Sequence, residues 1–133
     1  MRFESFFVTD HDLIIIVDVD IVGPRQALSG RFILDTGAAI TTATPEFVEQ
    51  LGYSARHGDR RTSVRTALGK EDGYLLHVAE FSALGVTLPN FEVNVFDLGH
   101  GEFDGLLGMN FLHRFNYEVR SAERRIFVQQ IAA

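Results

Sequence analysis

Phe32-Ile33-Leu34-Asp35-Thr36-Gly37-Ala38 is the stretch on which the reading of this chain turns. Three apolar residues in succession read as a buried strand. The carboxylate that ends them must emerge into a loop, pair, or take up a proton, because a lone buried carboxylate is costly. Gly37 lets backbone approach that carboxylate closely, and Thr36 sets a hydroxyl beside it. Asp-Thr-Gly alone is also an ordinary β-turn, so its meaning depends on what surrounds it.

Just downstream, Thr44 can cap a helix, Pro45 fits its first position and Gly52 stops it. Phe47, Val48 and Leu51 share one face of that helix, which should lie on the rest of the fold as cover. Upstream, Ser29-Gly30 and Gly23-Pro24 frame a loop, preceded by a strand over residues 13–22. Ile15, Val17, Val19 and Ile21 line one face of it, while the other changes from Ile14 and Ile16 to Asp18 and Asp20. Residues 5–9 form another short run, closed by Asp10-His11-Asp12.

Beyond the helix the strand pattern resumes over residues 61–68 and 74–81, with the polar stretch 69–73 as a hairpin connection. Phe91, Val93 and Val95 alternate with Glu92 and Asn94. A loop over 97–104 leads to Gly105-Leu106-Leu107-Gly108, and Leu107, Phe111 and Phe115 have helical spacing through residues 109–115. A charged turn over 120–124 precedes a last strand at 125–131. Short segments rich in Phe and β-branched residues, bounded by Gly, Asp and Asn, predict an all-β domain with one or two short helices. No repeat, low-complexity tract or linker divides it, so residues 1–133 read as one domain.

The 133 residues suffice for one self-sufficient core. With no cysteine, disulfide scaffolds, cysteine nucleophiles and cysteine-ligated metals drop out. The net charge of −6 repels phosphate backbones and argues against nucleic-acid partners. The longest strongly apolar run, residues 13–17, is too short to span a bilayer, and residues 1–20 lack the basic-then-apolar order of a signal peptide. The expected setting is cytoplasmic, or that of a soluble domain within a longer anchored protein.

Several other motifs carry less. His100, Glu102 and Asp104 alternate as metal ligands on a strand would, but a solvated Gly-flanked loop is the simpler reading, and no metal or cofactor is expected. Gly99 and Gly101 lack the third glycine and the βαβ setting of a dinucleotide site. Arg56, Arg60, Arg61 and Arg65 gather near Tyr53 and His57, either as a solvated face or as a contact for an acidic segment of a substrate. Neither a Gly-x-Ser-x-Gly elbow nor a His-Glu-x-x-His motif is present.

An apolar strand ending in Asp35-Thr36-Gly37-Ala38, followed much later by Leu106-Leu107-Gly108 entering a helix, resembles the retropepsin-like aspartic proteases. These are single-lobe relatives of pepsin found in retroviruses and bacteria. The resemblance spans roughly residues 13–128, and the run Asp-Gly-Leu-Leu-Gly-Met-Asn-Phe-Leu at 104–112 is most similar to bacterial members. It implies a closed, barrel-like fold with a flap hairpin around residues 67–74. It also implies Asp35, Thr36 and Gly37 as catalytic residues, with Ala38, Ala67, Leu68, Gly69 and Leu107 meeting substrate in the flap and pocket. Viral members pair an Asp and an Arg at the positions held here by Ala39 and Met109. Both charges are missing together, which leaves neither orphaned.

The chemistry implied is peptide hydrolysis by two carboxylates sharing one proton. The chain holds a single Asp-Thr-Gly, because Asp72-Gly73 and Asp104-Gly105 lack the apolar strand and the middle hydroxyl. The second Asp35 would then come from a symmetric copy, so the expected partners are a homodimer mate and a peptide or protein substrate. Because Ala38 offers no hydroxyl to the carboxylate, the pH optimum should be less acidic than that of gastric enzymes. The apolar runs 6–8 and 126–128 are candidates for the dimer interface. The alternative function is a non-proteolytic module of the same fold that binds peptides or mediates dimerisation.

Overall fold

A strand with one apolar face and a half-polar second face should sit at the wall of a barrel, and residues 14–22 do so. The computed structural model describes residues 2–10, 14–66, 69–99 and 102–131. In chain order these form β1 (Arg2–Phe6), β2 (Val8–Asp10), β3 (Ile14–Val22), β4 (Ala27–Leu34), β5 (Thr42–Ala43) and α1 (Pro45–Leu51). A 3-10 turn (Ala55–His57), β6 (Arg60–Thr66), β7 (Gly69–Ala83) and β8 (Val86–Val95) follow. The chain ends with β9 (Gly105–Leu107), α2 (Met109–Leu112), β10 (Phe115–Arg120) and β11 (Arg125–Gln130). Among the described residues no helix is long and apolar enough to cross a membrane.

The large sheet runs β2-β3-β4-β9-β5-β8-β7-β6, and β3 also pairs with β7. That extra pairing, Val19↔Ala83 to Val22↔Glu80, closes β3, β4, β9, β5, β8 and β7 into a hydrogen-bonded ring. The all-β, barrel-like expectation therefore holds. A second antiparallel sheet, β1-β11-β10, covers one side. The space between is filled largely by phenylalanine. Phe81 of β7 meets Phe32 of β4 edge-on at 6.1 Å, Phe91 of β8 at 4.6 Å and Phe111 of α2 at 5.6 Å. Phe111 then touches Phe115 of β10 at 5.3 Å, so one aromatic cluster joins both sheets.

Helix α1 keeps the limits read from its caps. Thr44 Oγ1 accepts the Phe47 N–H, and Gly52 ends the helix in the left-handed region at φ 101°. Phe47, Val48 and Leu51 are buried beneath it.

Other boundaries differ from the sequence reading. The run 5–9 is split between β1 and β2 at Phe7, whose buried ring turns inward while its N–H donates to Arg124 O. Ser29 and Gly30 belong to β4 rather than a loop, because β3 pairs with β4 as far as Val22↔Ala27. Residues 69–73 are strand, not connection: Gly73 faces Thr62 and Gly69 faces Thr66. The expected helix over 109–115 stops at Leu112. The i+4 spacing of Leu107, Phe111 and Phe115 comes from β9, α2 and β10, which each send one side chain into the same core. Finally, residues 126–128 lie in β11, the central strand of its sheet, paired on both sides. They have no edge to offer a partner.

Candidate active site

The site is built where β4 ends. Strand β9 runs parallel to β4, with Leu34 opposite Leu107, and its other side pairs antiparallel with β5. Residues 35–41 leave β4, pass the end of β9 and return as β5, so one strand lies between the two that the loop connects. Asp35 N–H donates to Leu107 O at 2.9 Å, which fixes the residue at the ends of two adjacent parallel strands. Its Oδ1 accepts the Gly37 N–H at 2.9 Å, and among the described residues Oδ2 accepts no hydrogen bond. The side chain of Asp35 is half-buried, whereas Thr36 and Gly37 are exposed. Among the described residues the Thr36 hydroxyl makes no hydrogen bond within the chain.

Helix α2 has no side-chain cap at Gly108, yet its first amides are not orphaned. Met109 N–H donates to Ala38 O at 2.7 Å and Asn110 N–H to Ala39 O at 3.0 Å. Backbone bonds thus join loop to helix at the two positions, Ala39 and Met109, that lack the viral charge pair. Gly108 makes the approach possible: a Cβ there would stand 2.7 Å from Ala38 O and 3.0 Å from Thr41 N.

Behind the loop lies a set of polar side chains that the sequence reading did not single out. Thr41 is fully buried; its Oγ1 accepts the Gly108 N–H at 3.0 Å and donates to Asn110 Oδ1 at 2.8 Å. Thr41 N–H also donates to Asn110 Oδ1 at 2.8 Å, and Asn110 Nδ2 donates to Glu92 O at 2.8 Å. The chain of contacts continues outward, with Asn94 N–H donating to Thr41 O and Thr62 Oγ1 donating to Asn94 Oδ1, both at 2.8 Å. Asn94, read as part of a polar strand face, is in fact buried. Among the described residues no buried side-chain nitrogen or oxygen lacks a partner. The available signal was a polar residue inside an apolar run: Asn94 between Val93 and Val95, and Asn110 between Met109 and Phe111.

The other expected site residues fall apart into three groups. Ala38 stands beside Asp35, half-buried. The Leu107 side chain is packed completely in the core, so its contribution here is the carbonyl that holds Asp35. Gly69 opens β7 at φ 113°, exposed, while Ala67 and Leu68 lie outside the described residues. His100 also lies outside them, and Asp104 is engaged otherwise. Its Oδ2 accepts the Arg31 N–H at 2.9 Å, which ties the approach to β9 onto β4. Among the described residues no three His, Cys, Asp or Glu side chains gather to hold a metal.

Comparison with known proteins bears on these features together. The aspartyl protease family model matches residues 17–111, a span that contains the Asp35 loop, the β6–β7 hairpin and the start of α2. The structure is similar to the crystal structure of a retropepsin-like aspartic protease from Rickettsia conorii, with a TM-score of 0.72. That similarity covers 96% of this chain and 91% of the other at 20% sequence identity, and it shows a retropepsin-like fold. No curated protein matches the sequence.

Proposed function

The chain belongs to the aspartyl protease family, and on that premise we propose that it is an endopeptidase whose active site joins the Asp35 carboxylates of two copies across a two-fold axis. The observation that carries this reading is the state of Asp35. One carboxylate oxygen is held by the Gly37 N–H, the other has no partner among the described residues, and the neighbouring Thr36 hydroxyl is equally unengaged. Among the described residues Asp97, beyond the end of β8, also accepts the N–H of a glycine two residues on, but Leu98 stands there in place of a hydroxyl residue; Asp104 accepts the Arg31 N–H, and Asp72 lies in the hairpin opposite Ser63. A second copy supplies what is missing in the isologous manner of symmetric dimers.

In such a pair, like charges at close range cannot both ionise, so one carboxyl keeps its proton. The ionised one takes a proton from water, and the resulting hydroxide adds to the peptide carbonyl carbon. The protonated one donates to the carbonyl oxygen. Collapse of the tetrahedral intermediate breaks the C–N bond, with the proton taken from water delivered to the departing amine. The β6–β7 hairpin, which carries Gly69, serves as the flap over bound peptide. Phe6, the last residue of β1, and Val8, the first of β2, are 70% and 53% exposed on two sheet-edge strands, and this segment is assigned to the dimer interface.

Asp35→Asn, tested beside the parent protein on a peptide library, should lower cleavage by about 10²–10⁴-fold. Equal cleavage by both proteins refutes the reading; absence of cleavage by either, with peptide still bound, favours a non-proteolytic binding module. Sedimentation at micromolar concentration should show dimer. The net charge of −6 on each copy makes that association weaker at low salt.

A further inference from the structure

The 3-10 turn Ala55–His57 and the base of the β6–β7 hairpin enclose a cleft of about 620 Å³. Arg56, Arg60, Arg61, Thr62, Asp72 and Tyr74 are among its lining residues. Three arginines and one acid thus contribute to its lining, in a chain whose net charge is −6. A second cleft of the same volume, against β3 and the β7–β8 turn, is lined by Asp18 and Asp20 and by no Lys or Arg. The charges of this molecule are therefore sorted by place.

The arginines are also uncompensated. Among the described residues none of Arg56, Arg60 and Arg61 forms an ion pair, and Asp59, the acid nearest in sequence, is bound to His77 instead. Gathering three cations raises their mutual repulsion, which an anionic ligand relieves with charge-assisted hydrogen bonds. The spacing of the cations selects among anions. Arg60 and Arg61 are successive residues of a strand and diverge, while Arg56 comes from a separate turn. Such an arrangement matches several carboxylates along an extended chain better than one compact anion. Strand β6 is moreover the terminal strand of the large sheet, so its outer edge has no strand partner among the described residues. An extended peptide can add to such an edge through main-chain hydrogen bonds.

We propose that this cleft and the β6 edge dock an acidic, extended segment of a protein substrate, outside the catalytic centre. That the docked segment belongs to a substrate rests on the endopeptidase reading; the docking itself does not. Tyr74, also in the lining, can add a hydroxyl donor.

The test uses the full chain carrying Asp35→Asn and a fluorescein-labelled peptide of alternating Glu and Val, read by anisotropy. The same peptide with Gln for Glu is the control. The acidic peptide should bind about tenfold tighter than the control or better, and added salt should erase the difference. Arg56→Glu with Arg60→Glu and Arg61→Glu should remove about tenfold in affinity or more. The single Arg56→Gln change, on the exposed turn, should lower it in the same direction without burdening the hairpin. Equal binding of both peptides overturns the proposal, as does unchanged binding by the arginine variants accompanied only by their self-association, which would make the arginines guards of a sheet edge. Displacement by millimolar inorganic phosphate also overturns it, assigning the cleft to a small anion. Because no cleavage is read, failure of the peptidase reading and failure of docking give different results. With active parent enzyme, the ratio of kcat/KM for acidic-flanked over neutral-flanked peptides should fall in the arginine variants.

Discussion

The Asp35 loop and the β6–β7 hairpin are both polar projections from the same barrel, yet they are held in opposite ways. The loop is fastened at both ends of the exposed Thr36-Gly37 turn: Asp35 to β9, Ala38 and Ala39 to α2, and Thr41 to Gly108 and Asn110. The fastenings at Thr41 are shielded from water, where a hydrogen bond is expensive to leave unmade. Among the described residues the strands of the hairpin beyond Tyr74 have ladder pairing only with each other, because β8 meets β7 no further out than Val95↔Tyr74. A two-stranded ribbon is marginal alone. The contrast teaches where this fold places stiffness and where it places freedom: the carboxylate is over-determined, and the ribbon can shift as a unit without disturbing the phenylalanine core.

The largest effect should come from attacking the fastening. Asn110→Leu orphans the buried Thr41 N–H and the Glu92 carbonyl. At roughly 1–3 kcal/mol for each orphaned group, a loss of about 3 kcal/mol in urea unfolding is expected. Thr41→Val strips the acceptor from the Gly108 N–H and should cost about 1–3 kcal/mol. Because the two residues share bonds, the double variant should lose less than the sum of the single losses. Strict additivity would mean that the loop is braced elsewhere, and would break the comparison. Peptidase activity should fall in step for both, since both act on the seat of Asp35.

A smaller effect is expected where the two regions meet. Thr62 Oγ1 donates to the buried Asn94 Oδ1, the one side-chain tie between the hairpin base and the polar set behind the loop among the described residues. Thr62→Val should lower stability by about 1 kcal/mol. Hydrogen exchange of the β6 amides should quicken about fivefold, while the amides of residues 37–41 keep their protection. Equal loss of protection in both places would show that loop and hairpin open as one unit.

Much of this contrast was legible in the sequence, though unevenly. Local signals carried the elements whose ends are set by neighbours in the chain: Thr44, Pro45 and Gly52 bounded α1 without help from tertiary structure. The motif at 35–38 marked the site because an acid after three apolar residues is locally anomalous. What escaped was set by contacts distant in sequence. Residues 69–73 are rich in Gly and charge, which suits a turn, but β6 lies opposite and draws them into strand. Phe115 keeps helical spacing from Phe111 only because β10 converges on the core that α2 also fills. Thr41 looks unremarkable in a single chain, and Asn110 shows only as a polar residue in an apolar run, for their value comes from each other across the fold. Burial also reversed the assignment of Leu107, which serves the site through its carbonyl rather than its side chain.

The smallest effect is confined to alkaline pH and falls at the junction itself, since Tyr74 is the last residue of the hairpin's outer β7 arm to have a β8 partner. Burial of its phenol, and secondarily the charge of Glu49 on α1, raise the pKa above 10.0. The folded state therefore binds this proton more tightly than the unfolded chain does. The resulting stability is fully present below pH 10 and is lost as pH rises through the raised folded value. Tyr74→Phe removes the titration, so its urea midpoint should decline less than the parent's at alkaline pH, and the difference between their phenolate absorbance curves should give a midpoint above 10. If that midpoint lies at the ordinary value, the ring is solvated and the hairpin leaves the barrel nearer its core than Val95↔Tyr74 indicates. If it is raised, and β6 amide exchange quickens with the same midpoint, a charge at position 74 loosens the ribbon while the seat of Asp35 stays closed.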